Sequence, residues 1–455
     1  MEDVVAIIEN QRTFFNSNKT KSIDFRIQQL KTLESAIKKN EQKLIDAIYL
    51  DFKKSEFDTY TTELALVYTD IREAIKKIKK WYKIKRVSTN LVNFPAKSYI
   101  IPEPLGVSLI IGAWNYPYQL SFAPTVAAIA AGCTIVLKPS ELPQNTSKVI
   151  AQIITENFDS NYFKVIEGGI KETTAVLEQK FDKIFFTGSV TVGKIVYQAA
   201  AKNLTPVTLE LGGKSPAFIT EKCNLKMTVK RLVWAKFINS GQTCIAPDYV
   251  LVHKSIKQEF LKELKNEIIK SKFSFENGNY IQIINERNMN RLASLIDTNK
   301  VYFGGEYNLE TRYFEPTILN DITFNDKVMQ EEIFGPILPI IEYSQLSEVI
   351  AKVKELPKPL SCYLFTSDKK IKKQILSEIS FGGGAVNESI MHISNSKLPF
   401  GGVGDSGIGN YHGEAGFKAF SHYKSILDKP TWLEFNLKYF PHTTFKLSLI
   451  KKILR

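Results

Sequence analysis

Cys244 ends the segment Asn239-Ser-Gly-Gln-Thr-Cys244, just past a glycine-containing turn, and lies 34 positions after Glu210 in the run Val207-Thr-Leu-Glu-Leu-Gly-Gly213. A thiolate is a strong nucleophile, and a carboxylate can move protons to and from its surroundings. Together they suit covalent catalysis through a thioester. Asn115, in Trp114-Asn-Tyr-Pro117, follows an apolar run. Its side-chain amide can donate to a developing oxyanion, or it can cap the helix that follows.

Other segments could hold a nucleotide. Phe186-Thr-Gly188-Ser189, with Gly193 in the next helix, has a strand–turn–helix context, although its spacing is Gly-x-x-x-x-Gly and departs from the usual dinucleotide fingerprint. Small residues there let a phosphate approach the amides of a helix N-terminus; the same glycine also serves a tight turn. Lys138-Pro-Ser-Glu141 can hold a ribose diol or a phosphate at a strand end, or form a solvated ion pair in a loop. In Gln330-Glu-Glu-Ile-Phe-Gly-Pro336 one acid could bind a ribose and Phe334 could press on a flat ring; the alternative is an exposed acidic pair. Pro399-Phe-Gly-Gly-Val-Gly-Asp-Ser-Gly-Ile-Gly409 is rich in glycine, but Phe400 and Val403 favour a packed turn over a linker.

These residues need a large scaffold to position them. At 455 residues the chain is expected to form two or more domains, and its 44% apolar and 24% charged content is that of a globular protein. Residues 3–83 read as helices, with Arg26, Leu30, Leu33 and Ile37 at helical spacing, a wrapper without chemistry of its own. Residues 87–102 read as β-rich, either an arm or an edge hairpin. Buried-strand runs follow at Val107–Ile111, 134–138, 162–166 and 183–187, separated by helices at 118–131, 144–157, 173–179 and 190–201. That alternation predicts a parallel sheet with ligands at the carboxyl ends of its strands. A second α/β stretch runs from about Gly212 to Pro399, with strands at 249–252, 337–341, 361–365 and 384–386 and helices at 225–239, 258–269 and 345–354. The expected site lies in the cleft between the two.

Several function classes are disfavoured. Net charge is +13, but it comes mainly from lysines spread over helical surfaces, without a nucleic-acid-binding motif, so no nucleic-acid partner is expected. Cys133, Cys223 and Cys362 read as inert, no CxxC pair occurs, and the five histidines show no metal-ligand spacing. No metal is expected, and a reducing cytoplasm fits best. Nothing reads as a secretory signal or a transmembrane helix.

Taken in order, Trp114-Asn-Tyr-Pro, Lys138-Pro-Ser-Glu, Phe186-Thr-Gly-Ser, Leu209-Glu-Leu-Gly-Gly-Lys-Ser, Gly241-Gln-Thr-Cys, Glu332-Ile-Phe-Gly-Pro and Pro399-Phe-Gly-Gly resemble the aldehyde dehydrogenase superfamily, over Ile101 to about Lys424. Asn203-Leu-Thr-Pro-Val-Thr-Leu-Glu210, Cys244-Ile-Ala-Pro-Asp-Tyr249 and Tyr411-His-Gly413 resemble its class 3 branch of fatty and aromatic aldehyde dehydrogenases. The resemblance implies NAD- or NADP-dependent oxidation of medium or long aliphatic, or aromatic, aldehydes to acids. Cys244 would attack, the Asn115 amide and the Cys244 N–H would hold the oxyanion, and Glu210 would activate water. Lys138 and Glu141 would hold the adenine-side ribose, Gly188 and Ser189 the pyrophosphate, with Gly193 in the same turn–helix unit, and Glu332 the nicotinamide ribose. Phe334 and Phe400 would line the nicotinamide, and His412 would sit near the substrate tunnel mouth.

It further implies an α/β fold: a Rossmann-like cofactor domain (1–80 and 103–209), a catalytic α/β domain (210–412), a β oligomerisation arm (81–102 and 413–440) and a C-terminal tail (441–455). A homodimer is expected. Some relatives in the branch carry a long apolar C-terminal anchor; here Phe445-Lys-Leu-Ser-Leu-Ile-Lys-Lys-Ile-Leu-Arg455 is too short to span a bilayer, and is either a basic amphipathic helix on a membrane face or a packed or frayed terminus. Two rivals are a CoA-acylating relative and a catalytically inactive scaffold of the same fold.

Overall fold

The structure is a computed structural model that describes residues 3–454. Short continuous apolar runs become strands buried on both faces, as a parallel sheet covered by helices requires. Val107–Ile111, Thr134–Lys138, Phe163–Val165, Lys183–Thr187 and Val207–Glu210 run parallel in one six-stranded sheet. Chain order proceeds outward from Val107–Ile111 to one edge, then returns to build the other side from Lys183–Thr187. That reversal makes the carboxyl ends of these two central strands the topological switch point, where Asn115 and Gly188 follow. Gly407–Ile408 adds an antiparallel edge strand, pairing Gly407 with Glu210.

A seven-stranded sheet is built from residues after the first sheet's last parallel strand, with Pro216–Ile219 and Tyr249–His253 at its middle. It is parallel except for Val301–Phe303, which pairs antiparallel with Thr317–Leu319. Lys85–Val87, Lys97–Pro104 and Ser421–Asp428 form a separate antiparallel sheet, so segments distant in sequence meet in one arm.

Between the N-terminal helices and the first sheet lies Pro117–Ala131, a helix buried at every residue. Its apolar surface all round explains why the run Ala123–Gly132 is so rich in alanine: it is a core helix. Among the described residues no helix is long and apolar enough to cross a membrane.

Three sequence expectations are corrected. The helix expected at 225–239 ends at Phe237, because Asn239 and Ser240 adopt left-handed φ angles of 56° and 51°. The helix expected from Thr173 starts at Ile170, where the Glu172 carboxylate accepts a hydrogen bond from the Gly169 N–H at 2.9 Å. The central strand Pro216–Ile219 was not foreseen; a proline opens it and only four residues carry it.

Candidate active site

The turn before Cys244 is the most constrained backbone near the cavity. Asn239, Ser240 and Gly241 all have positive φ, which non-glycine residues adopt only when their surroundings fix them. The polar side chains supply that fixing. Asn239 Nδ2 donates to the carbonyls of Asn115 (3.0 Å) and Gln242 (3.2 Å), and Ser240 Oγ donates to the Ile281 carbonyl at 2.6 Å. Gln242 Oε1 accepts from the Ile284 N–H at 2.9 Å. A side chain at Gly241 would strike the Gly335 carbonyl. The composition Asn-Ser-Gly-Gln-Thr is thus what a locked left-handed turn needs, and it leaves Cys244 partly open to a cavity.

Glu210 faces the same cavity from the end of its strand. It is almost fully buried, and neither carboxylate oxygen has a hydrogen-bond partner. Burial pushes its pKa well above the ordinary carboxylate range. Burial also pushes the Cys244 thiol up to about 12, with the Glu332 and Glu210 carboxylates adding to the effect. A thiol under the influence of two carboxylates, one of them the unpartnered Glu210 on the same cavity wall, is an arrangement for proton transfer and nucleophilic attack.

Asn115 is buried, and its Nδ2 donates to the Gln242 carbonyl at 3.0 Å, so this amide is fastened to the Cys244 loop. It does not cap the following helix, whose N-cap is Tyr116. An amide nitrogen carries two hydrogens, and one bond leaves the second for a ligand.

The cavity measures about 380 Å³. Phe57, Leu120, Trp234, Ile238, Met391 and Phe400 make most of its wall apolar. Phe57 and Met391 are exposed and mark its opening. Phe57, Thr61, Thr62 and Leu66 come from the N-terminal helices, so that region does more than wrap the sheet. His412 is not at the mouth. It is buried against Phe400, ring centroids 5.4 Å apart, and burial followed by the neighbouring His392 pushes its pKa down to about 4.

The nucleotide candidates sit on the strand-end face. Gly188 and Ser189 follow Lys183–Thr187, and Ser189 caps the helix Val190–Lys202, its Oγ accepting from the Val192 N–H at 3.4 Å. Gly193 is buried, and a side chain there would strike Leu211; it serves close helix–strand packing and leaves phosphate approach to the turn before it. Lys138 is buried, its Nζ 2.8 Å from the Pro139 carbonyl and 4.0 Å from the half-exposed Glu141 carboxylate. Glu332 lies over Gly212, where a side chain would strike its carboxylate; burial and Asp248 push its pKa up to about 8. Phe334, at φ 47°, packs edge-on against Trp114 at 5.3 Å. Helix-terminal amides for a pyrophosphate and carboxylates for ribose hydroxyls are the donor set a nicotinamide dinucleotide needs. Among the described residues no cluster of possible metal ligands exists.

Sequence reasoning missed Tyr116, Thr187 and Tyr411, all on the cavity wall. Tyr116 and Tyr411 stand inside motifs already singled out, Trp114-Asn-Tyr-Pro and Tyr411-His-Gly, so adjacency was the available signal.

A reversed-order parallel sheet beside a cavity lined by a partly open cysteine and a buried glutamate is the arrangement of a nucleotide-linked dehydrogenase. The Aldehyde dehydrogenase family profile matches residues 1–426, and the chain belongs to that family. It is 48% identical over 431 residues to the 4,4'-diaponeurosporen-aldehyde dehydrogenase of Staphylococcus aureus, covering 93% of this chain and 94% of that one. It is 43% identical over 449 residues to aldehyde dehydrogenase family 3 member A2 of Pongo abelii, covering 97% and 92%. The solved substrate-bound state of Staphylococcus aureus AldH superposes with a TM-score of 0.97 at 46% identity, covering 100% of both chains. The chain is an NAD(P)-dependent enzyme that oxidises aldehydes.

Proposed function

We propose that this enzyme oxidises apolar aldehydes, medium or long aliphatic or aromatic, to carboxylic acids with Cys244 as nucleophile and Glu210 as general base. One observation carries the reading: Cys244 and the unpartnered carboxylate of Glu210 line one mostly apolar cavity. A relative named for 4,4'-diaponeurosporen-aldehyde agrees with an apolar substrate.

Cys244 loses its thiol proton to solvent, and its Sγ adds to the carbonyl carbon. Asn115 Nδ2 and the Cys244 backbone N–H hold the oxyanion. When bound, the nicotinamide supplies the acceptor for the hydride that leaves this carbon with its electron pair. Collapse of the oxyanion leaves a thioester on Cys244. Glu210 takes a proton from water, whose oxygen attacks the thioester, and the thiolate departs as the acid forms. Lys138 and Glu141 would hold the adenine-side ribose, Gly188 and Ser189 the pyrophosphate, and Glu332 the other ribose. Phe334 and Phe400 would line the nicotinamide. Glu210 as a water-activating base favours hydrolysis over acyl transfer to coenzyme A.

The six-stranded sheet would then be the cofactor domain, the seven-stranded sheet the catalytic domain, and the three-stranded arm the pairing surface of a cytoplasmic homodimer. The tail helix Thr444–Ile453 buries no residue and exposes Phe445, Leu447 and Ile453 beside Lys446, Lys451 and Lys452. That composition suits weak contact with an anionic membrane surface; Arg455 lies outside the described residues. Turnover of a panel of aldehydes of increasing chain length with NAD+ and NADP+, with and without coenzyme A, tests the assignment. Efficiency should rise with apolar length and the free acid should be the product. Acyl-CoA as main product, or preference for small polar aldehydes, would overturn it.

A further inference from the structure

Lys54 and Glu63 form an ion pair of 2.7 Å with side chains 1% and 0% exposed, on a segment distant in sequence from the motifs of the reaction. A buried pair is tolerated only when its remaining bonding capacity is used. Here it is. Glu63 Oε2 accepts the N–H groups of Tyr118 (2.7 Å) and Gln119 (3.3 Å), at the start of the helix Pro117–Ala131. That helix has no side-chain cap of its own and begins with a proline, so Glu63 supplies its cap from another element. Lys54 Nζ sits 4.2 Å from the Tyr116 ring centroid. The Tyr116 hydroxyl is 2.7 Å from Thr243 Oγ1, and Asn115 Nδ2 bonds the Gln242 carbonyl. The pair is therefore connected, without a gap, to the two residues before Cys244. Glu63 also lies in a π-helical turn, Tyr60–Leu64, a widening that recurs at functional sites.

We propose that Lys54 and Glu63 are positioning residues for the reaction: through Tyr116 and the start of the core helix, they hold the Asn115 amide and the Thr243–Cys244 backbone in oxyanion-binding register. The proposal rests on Cys244 being the nucleophile. A displacement of about 1 Å at such a site can cost a hundredfold in rate.

The test uses the full-length enzyme with Lys54→Met, Tyr116→Phe, Thr243→Val and Thr243→Ser. Expected is a fall in kcat of roughly tenfold to a hundredfold in the first three, with cofactor Kd unchanged. Cofactor-free hydrolysis of p-nitrophenyl acetate, which needs the same oxyanion donors, should fall in parallel. Alkylation of Cys244 by iodoacetamide, which passes through no oxyanion, should keep its rate. Thr243→Ser should restore turnover by returning a hydroxyl to Tyr116. If Lys54→Met does not fold, Tyr116→Phe and the Thr243 pair carry the same test. Folded Lys54→Met or Tyr116→Phe enzyme with near-wild-type kcat would overturn the proposal, as would a loss of oxidation without a loss of ester hydrolysis. A Cys244→Ala enzyme that still turns over sinks the reading beneath it; a dead Cys244→Ala beside fully active Lys54 and Tyr116 variants sinks this proposal alone.

Discussion

The Cys244 cavity and the strand-end face around Lys138, Glu141 and Ser189 are built on opposite principles. In the cavity the backbone is tied down by its own side chains, while the reactive groups are left bare: both Glu210 oxygens lack partners. On the strand-end face the polar groups already have company. Lys138 bonds the Pro139 carbonyl, Ser189 caps its helix, and Glu141 is half exposed to water. Removing water raises the electrostatic stakes of every group inside the cavity, whereas an exposed carboxylate can exchange water for a ribose at small cost. On the proposed function, the difference separates a site for making and breaking bonds from a site for holding a ligand.

That contrast sets the order of the expected effects. Cys244→Ala should lower aldehyde oxidation by more than a thousandfold while cofactor titration gives the wild-type Kd; residual turnover near wild type would remove the nucleophile from the cavity. Asn115→Ala should lower kcat by on the order of a hundredfold or more, read in steady state, because a preorganised oxyanion donor is lost. Glu210→Gln should slow deacylation by a similar factor while the first turnover stays fast, giving a burst of NAD(P)H; a rate unchanged after the burst would place the base elsewhere. Glu141→Ala should raise the cofactor Kd by about tenfold and leave kcat at saturating cofactor intact. A fall in kcat there would erase the distinction between the two regions.

The protonation states sharpen it further. Both the Cys244 thiol and the Glu210 carboxyl are held up by burial, so their reactive, charged forms gain population as pH rises. Turnover should therefore climb from neutral to alkaline pH. Stability has the opposite sign. A carboxyl whose folded pKa lies above its unfolded value stabilises fully below the unfolded pKa, and that contribution is lost as pH rises through the folded one. Glu210→Gln removes this loss, so its Tm should exceed that of the wild type by roughly a degree or two at neutral and alkaline pH. An identical Tm at all pH values would mean that the carboxylate is better solvated than its surroundings imply.

The sequence made the first sheet legible because each buried parallel strand reads as an uninterrupted apolar run: Val107–Ile111, Thr134–Lys138 and Lys183–Thr187 have the expected limits. Pro216–Ile219 was hidden by its proline and its length, and Gly407–Ile408 by glycine-rich surroundings. Residue type and setting singled out Cys244 and Glu210, and the structure brings the two to one cavity. Phe57, Thr61 and Thr62 were not legible, since a helix at the chain's start gives no sign that it will fold over a cavity built some 180 residues later. Nor does periodicity reveal that Glu63 caps a helix more than fifty residues away.

The central claim is a covalent acyl intermediate on Cys244. Its most direct test is intact-mass spectrometry of Glu210→Gln enzyme, quenched during turnover with cofactor and a long-chain aldehyde, followed by peptide mapping. An added acyl mass on the peptide bearing Cys244 is the predicted result. Full conversion of one enzyme equivalent with no adduct on that sulfur would contradict the account.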